Sequence, residues 1–177
     1  LKKASEDIPE GEHTVTVTAT ADTRYVGRGG LKLEGALAAF RLDPTGLVMA
    51  DIGASTGGFT HCLLLQGAAH VVALDAGCDQ LHKSLREDAR VTNVEKYNAR
   101  ELSAGDVGQF ELVVMDVSFI SQTYILPHIG EVLLPGGEAV TLIKPQFEAG
   151  RAALNKNGLV KDPRDRVFAI RRVLESA

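Results

Sequence analysis

Five short apolar runs, each separated from the next by a turn and a helical pattern, constrain this chain more than any other feature. They are Leu47–Ile52, His70–Asp75, Val91–Val94, Phe110–Asp116 and Glu138–Lys144. Runs of this length without polar alternation read as strands buried on both faces, and intervening helices cover both faces only when the strands are parallel. The pattern therefore predicts an α/β fold with a doubly wound, mostly parallel sheet. A helix is expected over Gly30–Phe40, stopped by Asp43-Pro44 and Gly46, and another from Phe59 to a stop at Gly67. The turn Pro135-Gly136-Gly137 should precede the fifth strand, and His13–Thr18 alternates like an edge strand. With 177 residues, 45% of them hydrophobic, there is enough chain to bury one ordinary core.

In such sheets ligands sit beyond the carboxyl ends of the strands, where the strand order reverses. Three of those ends carry an aspartate: Asp51, Asp75 and Asp116. Asp51 leads the loop Asp51-Ile52-Gly53-Ala54-Ser55-Thr56-Gly57-Gly58-Phe59-Thr60, whose glycines let the backbone turn tightly and approach a ligand. The loop does not match G-x-G-x-x-G. A pyrophosphate gains little from a carboxylate at the start of its loop, whereas the ammonium and sulfonium of S-adenosylmethionine are attracted to one. Asp75 stands where an acidic side chain accepts hydrogen bonds from a ribose diol. The candidate cofactor residues are Asp51, Gly53, Ala54, Ser55, Thr56, Gly57, Gly58, Phe59 and Asp75. Strand-end aspartates that cap the next helix, and a nicotinamide dehydrogenase, remain the competing readings at this point.

A formal charge of −4 argues against a surface that traps nucleic acid everywhere, so any such contact must be local. Basic residues do bunch, at Arg24, Arg28 and Lys32 and again from Arg151 to Arg172, although a late basic cluster on a helix is usually a solvated face. No apolar run reaches the roughly 20 residues of a spanning helix and the first residues are too polar for a signal peptide, so a soluble protein with no membrane partner is expected. Two cysteines without paired spacing fit a reducing, cytoplasmic setting, and five scattered histidines predict no metal site. The oligomeric state stays open.

Beyond the generic pattern stand four motifs: Tyr25-Val26-Gly27-Arg28-Gly29-Gly30-Leu31-Lys32-Leu33, the Asp51–Thr60 loop, Met115-Asp116-Val117-Ser118-Phe119-Ile120-Ser121, and Ile143-Lys144-Pro145-Gln146-Phe147-Glu148. In this order they resemble the TlyA or haemolysin A-like family, which is related to FtsJ-type ribosomal RNA 2′-O-ribose methyltransferases. The resemblance covers Tyr25 to about Arg172; one departure is Gly27, where serine is more common. It implies a Rossmann-like domain over residues 25–177 that uses S-adenosylmethionine and methylates a ribose 2′-hydroxyl of ribosomal RNA or a ribosomal subunit. It further implies that residues 1–24 are a linker or the trailing edge of an S4-like RNA-binding domain. The absence of an initiator Met and the end within a helical pattern fit a fragment whose sheet is incomplete at its C-terminal side.

The same resemblance implies a Lys-Asp-Lys-Glu catalytic tetrad, of which Lys32, Asp116 and Lys144 have matching positions here. Glu148 follows Lys144 too closely to be the fourth member, which the family places beyond this chain. Since a ribose hydroxyl lacks nucleophilicity, the site must take its proton or stabilise the alkoxide. Lysine does this only if its ordinary pKa of about 10.4 is depressed by burial or a nearby cation. Lys144 is the expected base and Lys32 a second cation on the substrate oxygen. Asp116 is expected to orient Lys144 and touch the cofactor amine, with Arg28, Lys32 and Lys144 on the RNA. Solvent-facing lysines and a turn-forming aspartate are the plainer alternatives. Phe119, Tyr124 and Phe147 read as core aromatics, with stacking on a base as the alternative. Two other functional classes compete with the enzyme: a haemolysin-like membrane-active protein, and a non-catalytic cofactor- or RNA-binding module.

Overall fold

The computed structural model describes Gly11 and residues 24–177, so the expected strand at His13–Thr18 lies outside the described residues. The chain order is α1 (Gly29–Phe40), β1 (Val48–Ile52), α2 (Gly58–Leu65), β2 (His70–Leu74), α3 (Lys83–Arg86) and β3 (Val91–Val94). Then come α4 (Ala104–Val107), β4 (Phe110–Met115), α5 (Leu126–Val132), β5 (Leu133–Thr141), α6 (Pro145–Glu148) and α7 (Pro163–Leu174). The strands form one sheet in the order β3-β2-β1-β4-β5, and each neighbouring pair is parallel. This is the doubly wound sheet that the apolar runs predict.

Alternation within each strand builds the two layers. Met49, Val71, Ala73, Leu112 and Val114 point to one face, where Leu33 and Leu37 of α1 and Phe59, Cys62 and Leu63 of α2 cover them. Ala50, Ile52, Val72, Leu74, Val113 and Met115 point to the other, against Leu102, Ile125 and the α5 residues Ile129 and Val132. The chain runs outward through β1, β2 and β3 and then crosses to β4 on the far side of β1. The strand order therefore reverses at β1 and β4, where Ile52 pairs with Met115. A crevice at their carboxyl ends follows from the topology.

Two expectations shift. Pro135-Gly136-Gly137 does not precede the fifth strand but interrupts it, because the register jumps from Phe110 opposite Leu133 to Leu112 opposite Glu138. Gly137 lies so close to β4 that a Cβ there would stand 3.1 Å from the carbonyl oxygens of both Phe110 and Glu111. The strand also stops at Thr141, three residues before Lys144. The side-chain amide of Gln122 donates to the Leu142 carbonyl at 2.5 Å, and Pro145 opens α6. Lys144 consequently stands beyond the strand, in extended backbone at the start of α6.

Candidate active site

The loop after β1 reaches the reversal point through two residues with left-handed backbone. Gly53 (φ 83°) is pressed against the next strand end, since a Cβ there would meet the Asp116 carbonyl oxygen at 3.0 Å. Ser55 (φ 49°) takes the same conformation with a side chain, and its N–H donates to Asp75 Oδ2 at 2.8 Å. Asp75 Oδ1 accepts from Gly77 N–H at 2.7 Å. Asp75 is thus a buckle between the two loops. It does not cap α3, whose first turn is capped by His82.

Asp51 has a different role from the one its position suggests. It is fully buried on β1, and its Oδ2 accepts from both the backbone N–H (2.8 Å) and the hydroxyl (2.6 Å) of Thr60. Among the described residues its Oδ1 has no hydrogen-bond partner. Burial, reinforced by the negative charges of Asp116 and Asp75, pushes its carboxyl up to about 7, against the two hydrogen bonds from Thr60 that favour the charged form. Asp51 lines neither of the two cavities at the strand ends. Its visible contacts fasten α2 to β1.

Those cavities share Gly53, Ser55, Asp116 and Ser118 in their walls. The larger, about 400 Å³, extends past Asp75 to Tyr97, Asn98 and Ala99 and is edged by Phe119. The smaller, about 190 Å³, opens toward Arg28, Phe59 and Lys144. Its wall needs small residues: a Cβ on Gly27 would come 2.7 Å from Thr56 Oγ1, and one on Gly58 would come 3.1 Å from the Gly27 carbonyl oxygen. The Tyr25–Gly30 segment is held in this place by the Val26 N–H, which donates to His61 Nδ1 on α2 at 3.2 Å.

Where the cavities join, Lys144 Nζ lies 2.5 Å from Asp116 Oδ1 and donates to Ser118 Oγ at 2.7 Å. The Asp116 and Lys144 side chains are only 17% and 18% exposed, so water does little to screen their pairing. The structure thus brings Asp116 and Lys144 together, and it places Gly53, Ala54, Ser55, Thr56, Gly58, Phe59, Asp75 and Arg28 in the cavity walls. Gly57 (φ 93°) shapes the loop from behind, packed against Leu81 and Leu85. Lys32 is solvent-exposed and lines neither cavity. It rises from α1 one turn after Gly29, where a Cβ would lie 3.8 Å from Asp116 Oδ2.

Sequence reasoning missed four residues. Ser118 lies in the Met115–Ser121 motif, where a loop serine carries no distinguishing signal. Phe119, read as core, is 92% exposed in left-handed backbone (φ 64°), with its ring 5.2 Å from that of Phe147. Tyr124 is likewise exposed rather than core. Glu148, set aside as a tetrad member, is 1% exposed and accepts from the Ser121 hydroxyl (2.5 Å) and the Gln122 N–H (2.8 Å). With the Gln122–Leu142 bond, it stitches the loop after β4 to the segment that carries Lys144.

A model of FtsJ-like methyltransferases matches residues 25–176. The chain belongs to the FtsJ-like methyltransferase family. Within this family it is 44% identical over 164 residues to the 16S/23S rRNA (cytidine-2′-O)-methyltransferase TlyA of Mycobacterium tuberculosis, an alignment covering 92% of this chain and 61% of that protein. The solved structure of a Lactococcus lactis protein bearing a hemolysin label superposes with a TM-score of 0.84 at 47% identity, over 88% of this chain and 75% of that one. An S-adenosylmethionine-dependent methyltransferase from Mesorhizobium loti, 18% identical, shares the fold alone, with a TM-score of 0.56 over 81% and 79% of the two chains. This FtsJ-like chain spans 54% to 61% of the length of its first curated relatives. Among the described residues no helix is long and apolar enough to cross a membrane, and no group of three or more His, Cys, Asp or Glu could hold a metal ion.

Proposed function

We propose that this chain is the methyl-transferring domain of an S-adenosylmethionine-dependent RNA methyltransferase that modifies a ribose 2′-hydroxyl of ribosomal RNA. The observation that carries this reading is the shielded Lys144–Asp116 pair at the junction of the two cavities. The family membership and the name of the mycobacterial relative support the ribosomal substrate. Such a substrate implies work in the cytoplasm, with residues 25–177 as the catalytic domain and the segment before them as a linker from an RNA-binding module.

The residues fit the cofactor on grounds of charge and space. Asp51, Asp75 and Asp116 stand at neighbouring strand ends, and the other two charges already disfavour ionisation of Asp51. Such a field calls for a cation in the crevice. The larger cavity has the size of a small-molecule site. Asp75 and the Gly53–Phe59 loop would hold the nucleoside and amino-acid ends, and the Asp51 field would favour the cationic end without direct contact. When bound, S-adenosylmethionine supplies an electrophilic methyl on a sulfonium.

The protein's own task is to orient and deprotonate the hydroxyl. Lys144, once neutral, is the base; Asp116 holds it beside the cofactor cavity, and the cation that would favour its neutral form there is the bound sulfonium. Arg28 at the mouth of the smaller cavity takes a phosphate of the RNA backbone. Lys32 shares a helix face with Gly29 and reaches toward the same mouth once RNA is bound, as a second cation beside the substrate oxygen. Phe119, exposed beside Phe147, offers a ring face to a base.

Lys144→Ala should lower methyl transfer to ribosomal RNA by at least about 100-fold, the scale of general-base catalysis, while cofactor affinity stays within a few fold. The measurement is tritium transfer from labelled cofactor, alongside calorimetric titration of the cofactor. Methylation that survives at wild-type rate removes Lys144 from the base role.

A further inference from the structure

We infer that His61 is a positioning residue that holds the Tyr25–Arg28 side of the smaller cavity in place for RNA while its imidazole is neutral. The inference rests on the reading of Arg28, at the mouth of that cavity, as a contact to the RNA backbone. Val26 lies between Tyr25 and the wall residues Gly27 and Arg28, and its N–H donates to His61 Nδ1 at 3.2 Å. Among the described residues this is the one hydrogen bond between residues 25–28 and α2. The Tyr25 ring meets the His61 ring edge to face, with centroids 5.8 Å apart. It also packs so closely on Gly30 that a Cβ there would stand 2.3 Å from Tyr25 Cγ.

A ring nitrogen accepts a hydrogen bond only while it carries no proton. With Nδ1 accepting, neutral His61 keeps its hydrogen on Nε2. The protonated ring has N–H groups at both nitrogens, so an Nδ1–H would face the Val26 N–H and the bond is lost. Two titratable groups lie against His61: Tyr25 from the segment itself, and His82 from the position that opens α3. Arg24, next to Tyr25, is paired with Glu34 of α1. Burial, and after it the charge of His82, hold His61 below the ordinary 6.5. His61 is therefore neutral and accepting at neutral pH, and the bond breaks as pH falls below that value.

What moves with Val26 is the cavity wall. A Cβ on Gly27 would come 2.7 Å from Thr56 Oγ1, and one on Gly58 would come 3.1 Å from the Gly27 carbonyl oxygen. A fit this close leaves little room for intermediate positions of the segment. Once the Val26 bond is lost, Arg28 is no longer fixed at the mouth, and the effect falls on RNA binding.

Three variants test the assignment in the intact protein, with ribosomal RNA as the probe. His61→Asn places a side-chain oxygen near the Nδ1 position and accepts at every pH, so it should bind RNA as the parent does at neutral pH. His61→Ala should bind about fivefold more weakly, the scale of one neutral hydrogen bond. As pH is lowered from about 7.5 to about 5, the parent's Kd for RNA, taken relative to that of His61→Asn at each pH, should rise toward the same fivefold. His82→Asn keeps a cap for α3 and removes the neighbouring charge, so it should move this rise to higher pH. A readout without RNA is the Val26 amide in ¹⁵N-resolved NMR, which should titrate with His61 in the parent and stay constant in His61→Asn.

A parent-to-Asn ratio that is flat with pH, or a Val26 amide that titrates alike in both proteins, overturns the inference. So does His61→Asn binding as weakly as His61→Ala, which would mean that ring packing on Tyr25 holds the segment. If no variant binds RNA, the RNA reading of the cavity fails, and the Val26 amide still decides whether His61 holds the segment.

Discussion

Asp51 shows how a single residue can carry an energetic cost that its contacts do not repay. Its carboxyl is buried, has one unpartnered oxygen and is pushed up to about 7 from an ordinary 3.8. A raised acid binds its proton more tightly in the folded state than in the unfolded one. Its favourable contribution is complete below pH 3.8 and is lost as pH rises through about 7. Asp51→Asn, neutral at every pH and still able to accept from Thr60, should therefore be more stable than the parent by on the order of 4 kcal/mol at pH 8 and by little at pH 4. Thermal melts of both proteins across that range check the sign; a gap that shrinks as pH rises refutes the buried-carboxyl account. If the charge serves the cofactor, the same variant should weaken S-adenosylmethionine binding about tenfold or more. Asp116 and Lys144 were legible in the sequence because a charged residue ending an apolar run stands out. Ser118 was not, because a serine in a loop has too many ordinary uses.

At the scale of elements, the strands β1 to β4 were readable to within one residue because continuous apolar runs have few other fates. The fifth was misread at both ends for physical reasons. Gly137 packs tightly against β4, where a Cβ would stand 3.1 Å from two carbonyl oxygens, and the strand continues through what reads as a turn. At the other end the Gln122 amide takes the Leu142 carbonyl, which closes the ladder early. The long-range pairing of Gln122 and Glu148 with the facing segment cannot be read from spacing alone. Glu148→Ala should leave the Ser121 hydroxyl and the Gln122 N–H buried without an acceptor, at a cost of about 2–4 kcal/mol. Glu148→Gln, which keeps an acceptor, should lose roughly half as much. Urea unfolding measures both, and kcat should fall in the alanine variant even where the protein remains folded, because Lys144 and Ser118 lose their common anchor. Equal stability of the two variants would show that the carboxylate does not tie these segments.

For the molecule as a whole, the reversal of strand order at β1 and β4 and the three aspartates around it make separate demands on a ligand. Topology asks only for something that fits a crevice beyond the strand ends, and a dinucleotide would satisfy it. The charges are more selective, since a pyrophosphate in the crevice lies beside Asp75 and Asp116, with Asp51 buried behind them, whereas a sulfonium and an ammonium there meet opposite charge. The difference should appear in global stability, because a ligand that binds only the folded state stabilises it by mass action. At about 100 times its Kd, S-adenosylmethionine should add about 2.7 kcal/mol, which for a chain of this size raises Tm by roughly 5–10 °C. NAD at the same concentration should leave Tm unchanged. S-adenosylhomocysteine, which keeps the ammonium but lacks the sulfonium charge, should fall between them at equal concentration. A Tm shift from NAD as large as that from S-adenosylmethionine would mean that shape governs this crevice. The three carboxylates would then have to be explained by folding alone, which the burial of Asp51 makes costly.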